Sequence, residues 1–156
     1  MNLKIGKIKK CQICNSKSLS KIISMGKITP CDSLIKKNQL NKKNKKYPLN
    51  LIRCKECGLV QIDYVVDPKE LFHKNYPYRS GITKDLKDNL QRISSHVSKN
   101  FSNKSSRLVV DIGSNDGSIL KGFKNLGFNV LGIEPTNIAR IANRDGIKTL
   151  QEFFTI

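Results

Sequence analysis

The segment that most constrains the fold is 108–135, which is typical of strand, glycine-rich loop, helix and second strand. Residues 107–112 form an apolar, β-branched run of the kind found in strands buried on both faces of a parallel sheet. Small residues follow at 113–117, and apolar side chains then recur at helical spacing as far as Gly127. Residues 128–133 predict another buried strand, which ends at Glu134 and Pro135. The segment therefore predicts a βαβ unit in a parallel α/β sheet.

The loop after the first strand has the chemistry of a site for a nucleoside-containing cofactor. Glycines let a ligand approach the backbone, and the start of the helix presents N–H groups to a carboxylate or phosphate. Glu134 follows about 20 positions later, where a carboxylate can accept hydrogen bonds from both hydroxyls of a ribose. The dinucleotide pattern G-x-G-x-x-G fails, because Asn115 and Ser118 stand where its later glycines belong.

The pattern that the loop does contain is acid-x-Gly-x-x-x-Gly, from Asp111 to Gly117. It resembles the first motif of class I S-adenosylmethionine (SAM) methyltransferases. We therefore expect cofactor contacts in the loop and at the end of the second strand, at Asp111, Gly113, Ser114, Asn115, Asp116, Gly117, Glu134 and Pro135. The alternative is an α/β domain with a glycine turn and no nucleotide.

Two Cys-x-x-Cys pairs, Cys11 with Cys14 and Cys54 with Cys57, indicate a metal site. Two intervening residues make a tight turn that aims both sulfurs at one point, and four thiolates complete a tetrahedral zinc site. Doubling the loop between the pairs costs only about 0.6 kcal/mol, whereas structural zinc binds with on the order of 10 kcal/mol. Four ligands close the site, so we expect structural rather than catalytic zinc. The alternative is two turns whose cysteines are reduced and bind no metal. Cys31, the remaining cysteine, is expected to be a small, half-buried thiol.

The charge balance leaves a nucleic-acid interaction open without favouring it. The formal net charge is +17, and much of it lies in lysine–asparagine runs such as 42–46, which are more typical of a solvated loop than of a binding patch. No stretch approaches the roughly 18 apolar residues of a membrane span. The first ten residues lack the apolar core of a secretory signal. We therefore expect no membrane interaction and a cytoplasmic location.

Three segments are expected. Residues 1–66 form the zinc-binding module, with strands at 20–25, 47–53 and 59–62. Residues 67–106 hold a short helix, an aromatic linker and a covering helix, and residues 107–156 hold the SAM-binding half-domain, with a helix at 136–145 and a strand at 147–150. The covering helix follows a cap at Thr83 and carries one apolar stripe that is expected to face the core: Leu86, Leu90, Ile93, Val97 and Phe101. The linker tyrosines either cover a ligand or pack a domain junction.

Nearly the whole chain resembles one family, the nucleotide-sugar C-methyltransferases with an N-terminal zinc-binding domain. The matching motifs occur in family order: Cys11-x-x-Cys14, Tyr47-Pro48-Leu49, Cys54-x-x-Cys57-Gly58-Leu59-Val60-Gln61, Asp67-Pro68, Leu71-Phe72, Tyr76-x-Tyr78, Ser80-Gly81, Ile112-Gly113-Ser114-Asn115-Asp116-Gly117 and Gly132-Ile133-Glu134-Pro135. Asp111 replaces a glutamate that is frequent in the family. The resemblance adds Tyr76, Tyr78 and Ser80 to the expected cofactor contacts.

The resemblance implies methyl transfer from SAM to a ring carbon of a nucleoside-diphosphate 4-keto-deoxysugar. In the family, the catalytic base lies in the second half of the methyltransferase domain, and a C-terminal domain helps to hold the sugar nucleotide. We find no counterpart of either here, so we expect an N-terminal part that has no catalytic residue of its own and is inactive alone. The alternatives are a basic zinc-ribbon module that binds nucleic acid and a fragment of an RNA methyltransferase.

Overall fold

The structure is a computed structural model, which describes residues 5–155. The chain divides into two compact units, the first ending at Leu71 and the second beginning at Phe72. Antiparallel strands make up the first unit, and a parallel sheet with helices makes up the second. This arrangement confirms the predicted class, a small β module that bears the four cysteines followed by a Rossmann-like half-sheet.

The first unit is built on a three-stranded antiparallel sheet. Its strands are β2 (Leu19–Ile28), β3 (Tyr47–Cys54) and β4 (Val60–Ile62), with β3 in the middle. β2 is longer than predicted, because two register shifts along its pairing with β3 let it continue past residue 25. A two-stranded ribbon pairs β1 (Gly6–Lys7) with β5 (Tyr64–Val65), and α1 spans Pro68–Leu71.

Glu70 connects α1 to the end of the lysine-rich loop. Its carboxylate accepts a hydrogen bond from the Tyr47 hydroxyl and pairs with the Lys45 ammonium at 2.9 Å. The Tyr47 hydrogen bond and then the Lys45 contacts lower the pKa of Glu70. The loop between β2 and β3 is therefore fixed at its C-terminal end by polar contacts.

The second unit has three parallel strands in the order β6–β7–β8, spanning Leu108–Ile112, Asn129–Ile133 and Thr149–Leu150. The connecting helices are α3 (Ser118–Asn125) and α4 (Ala139–Arg144), and α4 and β8 are shorter than predicted. Leu120 of α3, Ala142 of α4 and Ile147 form one buried cluster against Val109 and Val130. Both helices therefore cover the same face of the sheet.

The expectation that β6 is buried on both faces is wrong. Val109 is half-buried beneath the helices, whereas Leu108, Val110 and Ile112 are exposed, with 57% of Ile112 accessible. An apolar run is buried on both faces only where a layer covers each face of the sheet. Here both helices lie on one face, and the described residues leave the β6 side chains of the other face open to solvent.

The long helix α2 spans Lys84–Ser98, but its predicted core face is only partly correct. Leu86 and Leu90 are half-buried, whereas Ile93 and Val97 remain exposed. The stripe's last residue, Phe101, is also exposed in part, although its ring meets Phe128 edge-on at 6.3 Å.

The buried residues of α2 are two serines, Ser94 and Ser98. The reason is close packing on α3: a Cβ on Gly122 would lie only 2.2 Å from Ser94 Oγ. Small side chains bring the two helices together, so the contact face lies beside the apolar stripe. Thr83 occupies the N-cap position as predicted, without a capping hydrogen bond from its side chain.

Among residues 5–155, no helix combines the length and the apolar character that a bilayer crossing requires.

Candidate zinc centre and cofactor loop

The two cysteine pairs fold into matching turns. In the first, Asn15 N donates to Cys11 O at 3.0 Å, and in the second, Gly58 N donates to Cys54 O at 3.1 Å. The N–H of the first cysteine in each pair closes the turn. Cys11 N donates to Ser16 O and Cys54 N donates to Leu59 O, both at 2.8 Å. Asn15 and Gly58 both have positive φ, 60° and 77°. Glycine adopts this conformation without strain, and Asn15 is the equivalent of Gly58 because asparagine tolerates it.

The four cysteine sulfurs converge on one point. Their Sγ atoms all lie within 4.8 Å of one another, and the closest pairs join the two turns: Cys11 to Cys57 and Cys14 to Cys54, both at 3.5 Å. A tetrahedral site with zinc–sulfur bonds of about 2.3 Å needs sulfurs about 3.8 Å apart. The donor set and its spacing therefore fit one zinc ion bound by four thiolates.

The electrostatics of the cluster also favour a bound cation. Backbone hydrogen bonds from Cys14 and then Ile13 lower the pKa of Cys11 to about 6. The pKa of Cys54 is lowered as well, first by the backbone of Cys57. At Cys14 a backbone hydrogen bond from Ser16 lowers the pKa, but desolvation and the neighbouring sulfurs outweigh it and raise the pKa to about 12. Four thiols this close cannot all ionise without a compensating positive charge, and a divalent metal supplies it.

Contacts between the turns hold the cluster together. Lys55 N donates to Ser18 O at 2.9 Å, and Gln12 N donates to the side-chain oxygen of buried Gln61 at 3.1 Å. Gln61 was part of the family motif but was not singled out as a site residue. Cys31 is exposed and lies outside the four-sulfur cluster, so it is not the half-buried thiol that was expected.

The glycine loop of the second unit begins where β6 ends. Gly113 N and Ser114 N both donate to Ile133 O, at 2.8 and 3.1 Å. Gly113 has a φ of 79°, and a Cβ built there would have no atom within 4 Å. A ligand can therefore approach the backbone closely at Gly113, which fits a cofactor loop.

Gly117, at the other end of the loop, has a different environment. Its φ is 74°, and an added Cβ would meet Ile147 Cγ2 at 3.0 Å. This glycine is required by its conformation and by packing inside the unit, whatever the loop binds.

Glu134 lies at the carboxyl end of β7 as predicted, and only 4% of it is exposed. Oε2 accepts the Asn115 N–H at 3.0 Å, and Oε1 accepts the Thr136 N–H at 2.9 Å. A carboxylate has about four lone-pair sites, so two remain for further donors. Glu134 therefore organises the loop in addition to any role with a ligand. Pro135, next to it, is half-buried.

Asp111 is the half-buried acid at the end of β6. Burial, and then the negative charge of Glu134, raise the pKa of Asp111. Asp111 pairs with Gly132 across the sheet, and a Cβ on Gly132 would lie 2.5 Å from Ser114 Oγ and 2.6 Å from Thr149 Oγ1. Ser114 Oγ is buried and has no hydrogen-bond partner among the described residues.

The linker residues Tyr76, Tyr78 and Ser80 lie against the glycine loop. We call residues 76–82 the strap. Ser80 N donates to Asn115 Oδ1 at 2.8 Å, and Tyr76 N donates to Asn137 Oδ1 at 2.9 Å. The structure thus brings the strap to both strand ends of the site. Asn137 was not identified from the sequence, because an asparagine at a helix start gives no signal for a partner 61 positions away.

Comparisons with known proteins agree with this geometry. Residues 11–72 match a domain family described as "Putative zinc binding domain". The zinc-binding domain thus begins at the first cysteine of the cluster and contains all four ligands, which supports zinc as the metal.

A second comparison extends beyond the zinc-binding domain. The chain is 26% identical over 149 residues to the C-methyltransferase NovU of Streptomyces niveus. The match covers 95% of this chain, so it includes the glycine loop and Glu134, and the chain spans 35% of the length of that relative. Both comparisons agree with the resemblance to C-methyltransferases that carry an N-terminal zinc-binding domain.

Proposed function

We propose that this chain supplies the structural zinc and the SAM-binding loop of a C-methyltransferase that acts on a nucleoside-diphosphate 4-keto-deoxysugar. The observation that carries the proposal is the similarity to NovU, which includes both the cysteine cluster and the loop next to Glu134. The open backbone at Gly113 and the spare acceptor sites of Glu134 support a nucleoside ligand. The cytoplasm, where thiols stay reduced, is the proposed location.

In this proposal the chain's residues bind and orient the cofactor. The site is bordered by residues of the two strand ends, the glycine loop and the strap: Asp111, Gly113, Ser114, Gly117, Glu134, Pro135, Tyr76, Tyr78 and Ser80. Bound SAM supplies an electrophilic methyl group. Methylation of a carbon next to a ketone also needs a base that removes a proton. We assign no residue of this chain to that role, and we propose that the base and most sugar-nucleotide contacts belong to the part of the enzyme corresponding to the unmatched length of NovU.

Titration calorimetry with S-adenosylhomocysteine, the demethylated product, tests the cofactor half of the proposal. We expect saturable binding to the purified, zinc-loaded chain. A matched titration with NADH should give no heat, because the loop lacks the dinucleotide glycines. Tighter binding of NADH, or no binding of either compound, would contradict a SAM site on this chain.

A transfer assay tests the reaction. Radiolabelled SAM and a 4-keto-deoxysugar nucleotide should give no labelled sugar with the chain alone. Label should appear when a polypeptide corresponding to the rest of a NovU-like enzyme is added in trans. Transfer by the chain alone would show that it carries its own base. The two histidines of the sequence, His73 and His96, would then be the first residues to test.

The net charge of +17 keeps nucleic-acid binding as the second candidate. Binding through lysines alone loses affinity steeply with salt and shows little sequence preference. Fluorescence anisotropy with a single-stranded RNA at 50 and 200 mM salt separates such non-specific binding from specific RNA binding. Specific RNA binding that survives at 200 mM salt would favour the RNA methyltransferase alternative.

A further inference from the structure

The strap is attached to the glycine loop by side chains of the loop itself. The Asn115 side chain is both an acceptor and a donor: its Oδ1 accepts a hydrogen bond from Ser80 N at 2.8 Å, and its Nδ2 donates one to Tyr78 O at 3.2 Å. Asp116 Oδ2 accepts from Gly81 N at 2.9 Å and lies 3.7 Å from the Arg79 Nε. Two adjacent loop residues thus hold four consecutive residues of the strap.

These contacts engage both polar atoms of the Asn115 side chain and the Oδ2 atom of Asp116. Asp116 Oδ1 also accepts from the Ser118 hydroxyl at 2.6 Å. Only 8% of Asn115 and 7% of Asp116 are exposed. A ligand at the loop would have to compete with existing hydrogen bonds to reach either side chain, and leaving a buried donor or acceptor unpaired is costly.

Gly81 gives independent support for a built contact. A Cβ at this position would lie 2.7 Å from Ser118 Oγ and 2.8 Å from Asp116 Oδ2. Its φ is not in the left-handed region, so the restriction comes from space alone. The strap therefore approaches the loop as closely as a backbone without a side chain allows.

The strap is anchored at both ends of the candidate site. Tyr76 N binds Asn137, just after the end of β7, and residues 78–81 bind the loop that follows β6. Ligands of open α/β sheets bind at the carboxyl ends of the strands. Tyr78 is 47% exposed, so the attached strap presents an aromatic ring in this region.

We propose that Asn115 and Asp116 are positioning residues, whose side chains hold the strap across the carboxyl ends of β6 and β7, and that the strap is the surface that faces the cofactor. This inference rests on the proposed SAM site and reassigns two of its expected contacts. The ligand class that the strap would face is the adenosyl or amino-acid part of SAM.

Amide hydrogen exchange measured by NMR tests the attachment without any ligand. Asn115→Ala and Gly81→Ala should each speed exchange at Ser80 and Gly81 (or the alanine that replaces it) about tenfold, the loss expected for a hydrogen bond. Exchange at the core amides of Leu120 and Ala142 should not change. Asn125→Ala, the same substitution at an exposed position on α3, is the matched control. Unchanged exchange at Ser80 in both variants would overturn the proposal.

S-adenosylhomocysteine affinity of the single and double variants distinguishes positioning from direct contact. Residues that act through one shared attachment are not additive, so Asn115→Ala, Gly81→Ala and the double variant should lose affinity by the same factor. Additive losses, or a loss confined to Asn115→Ala, would assign Asn115 to the ligand and overturn the proposal. Unchanged or tighter binding in both single variants would also overturn it.

The two proposals fail in different ways. If the wild-type chain binds no S-adenosylhomocysteine although Ser80 and Gly81 are protected from exchange, the proposed SAM site fails, and with it the claim that the strap faces a cofactor. If the wild-type chain binds the ligand but these amides are unprotected, the SAM site stands and the attachment fails.

Discussion

Glu134 Oε2 accepts the backbone N–H of Asn115 at 3.0 Å, and this hydrogen bond joins the end of β7 to the loop that follows β6. The carboxylate therefore sets the conformation of the loop that we expect to hold the cofactor. Glu134, which the sequence predicts as a hydrogen-bond acceptor for a ribose, thus already accepts a hydrogen bond from the protein backbone.

The first prediction follows from this double role of Glu134. Glu134→Ala should weaken S-adenosylhomocysteine binding by on the order of 1–3 kcal/mol, since charged hydrogen bonds to the ribose and to the loop are lost together. The Asn115 amide should exchange faster in the same variant. Calorimetry and amide exchange check the two effects. Unchanged affinity in a variant with normal loop protection would remove Glu134 from the site.

The second prediction concerns the metal. Metal analysis of the purified chain should find about one zinc per chain, and Cys54→Ser should unfold the zinc-binding domain, because structural zinc provides much of the folding free energy of small modules. Circular dichroism during chelator titration measures the loss of strand signal. Cys31→Ser is the matched control, because Cys31 lies outside the cluster. A metal-free domain that keeps its structure would exclude this role for zinc.

The third prediction tests the close approach of α2 and α3. Gly122→Ala should lower the free energy of unfolding by about 1–3 kcal/mol, because the new Cβ overlaps Ser94 Oγ and the helices must move apart. Adding Ser94→Ala removes that oxygen and should restore part of the loss. Chemical denaturation of the single and double variants gives both values. Ser95→Ala, an exposed neighbour on α2, should have little effect. Equal stability of Gly122→Ala and the wild type would disprove the contact.

The fourth prediction is a pH dependence at Asp111, whose pKa is raised first by burial and then by Glu134. An acid with a raised pKa binds its proton more tightly in the folded state. Its favourable contribution is therefore present below the unfolded pKa of about 3.9 and lost as the pH rises through the folded value. Asp111→Asn should raise the Tm at pH 7, and the difference should shrink toward pH 4. A pH-independent difference would show that charge is not the cause.

The fifth prediction concerns the exposed face of β6, where Leu108, Val110 and Ile112 present a row of apolar side chains. An exposed strand with apolar side chains is prone to pair with another chain. The isolated chain should self-associate with rising concentration, and Val110→Lys should shift it toward monomer. Sedimentation velocity measures this, with Lys121→Glu on α3 as the control for a changed surface charge. A wild-type chain that stays monomeric at high concentration would contradict the prediction.

The sequence alone determined the parts of this protein that depend on local chemistry. The Cys-x-x-Cys spacing closes a turn whose sulfurs converge whatever surrounds it, so the four ligands could be named in advance. The run from Val109 to Glu134 predicted strand, loop, helix and strand, because periodicity and glycine positions are properties of neighbouring residues.

Only the tertiary structure decided which faces are covered and which polar groups are already paired. Nothing in the spacing of Ile93 and Val97 says that Ser94 makes the contact, since that depends on Gly122 of another helix. The same holds for Asn115, a predicted ligand contact whose side-chain amide already binds Ser80 and Tyr78. These contacts join residues 28 to 37 positions apart, where a sequence pattern carries no information about distance or direction.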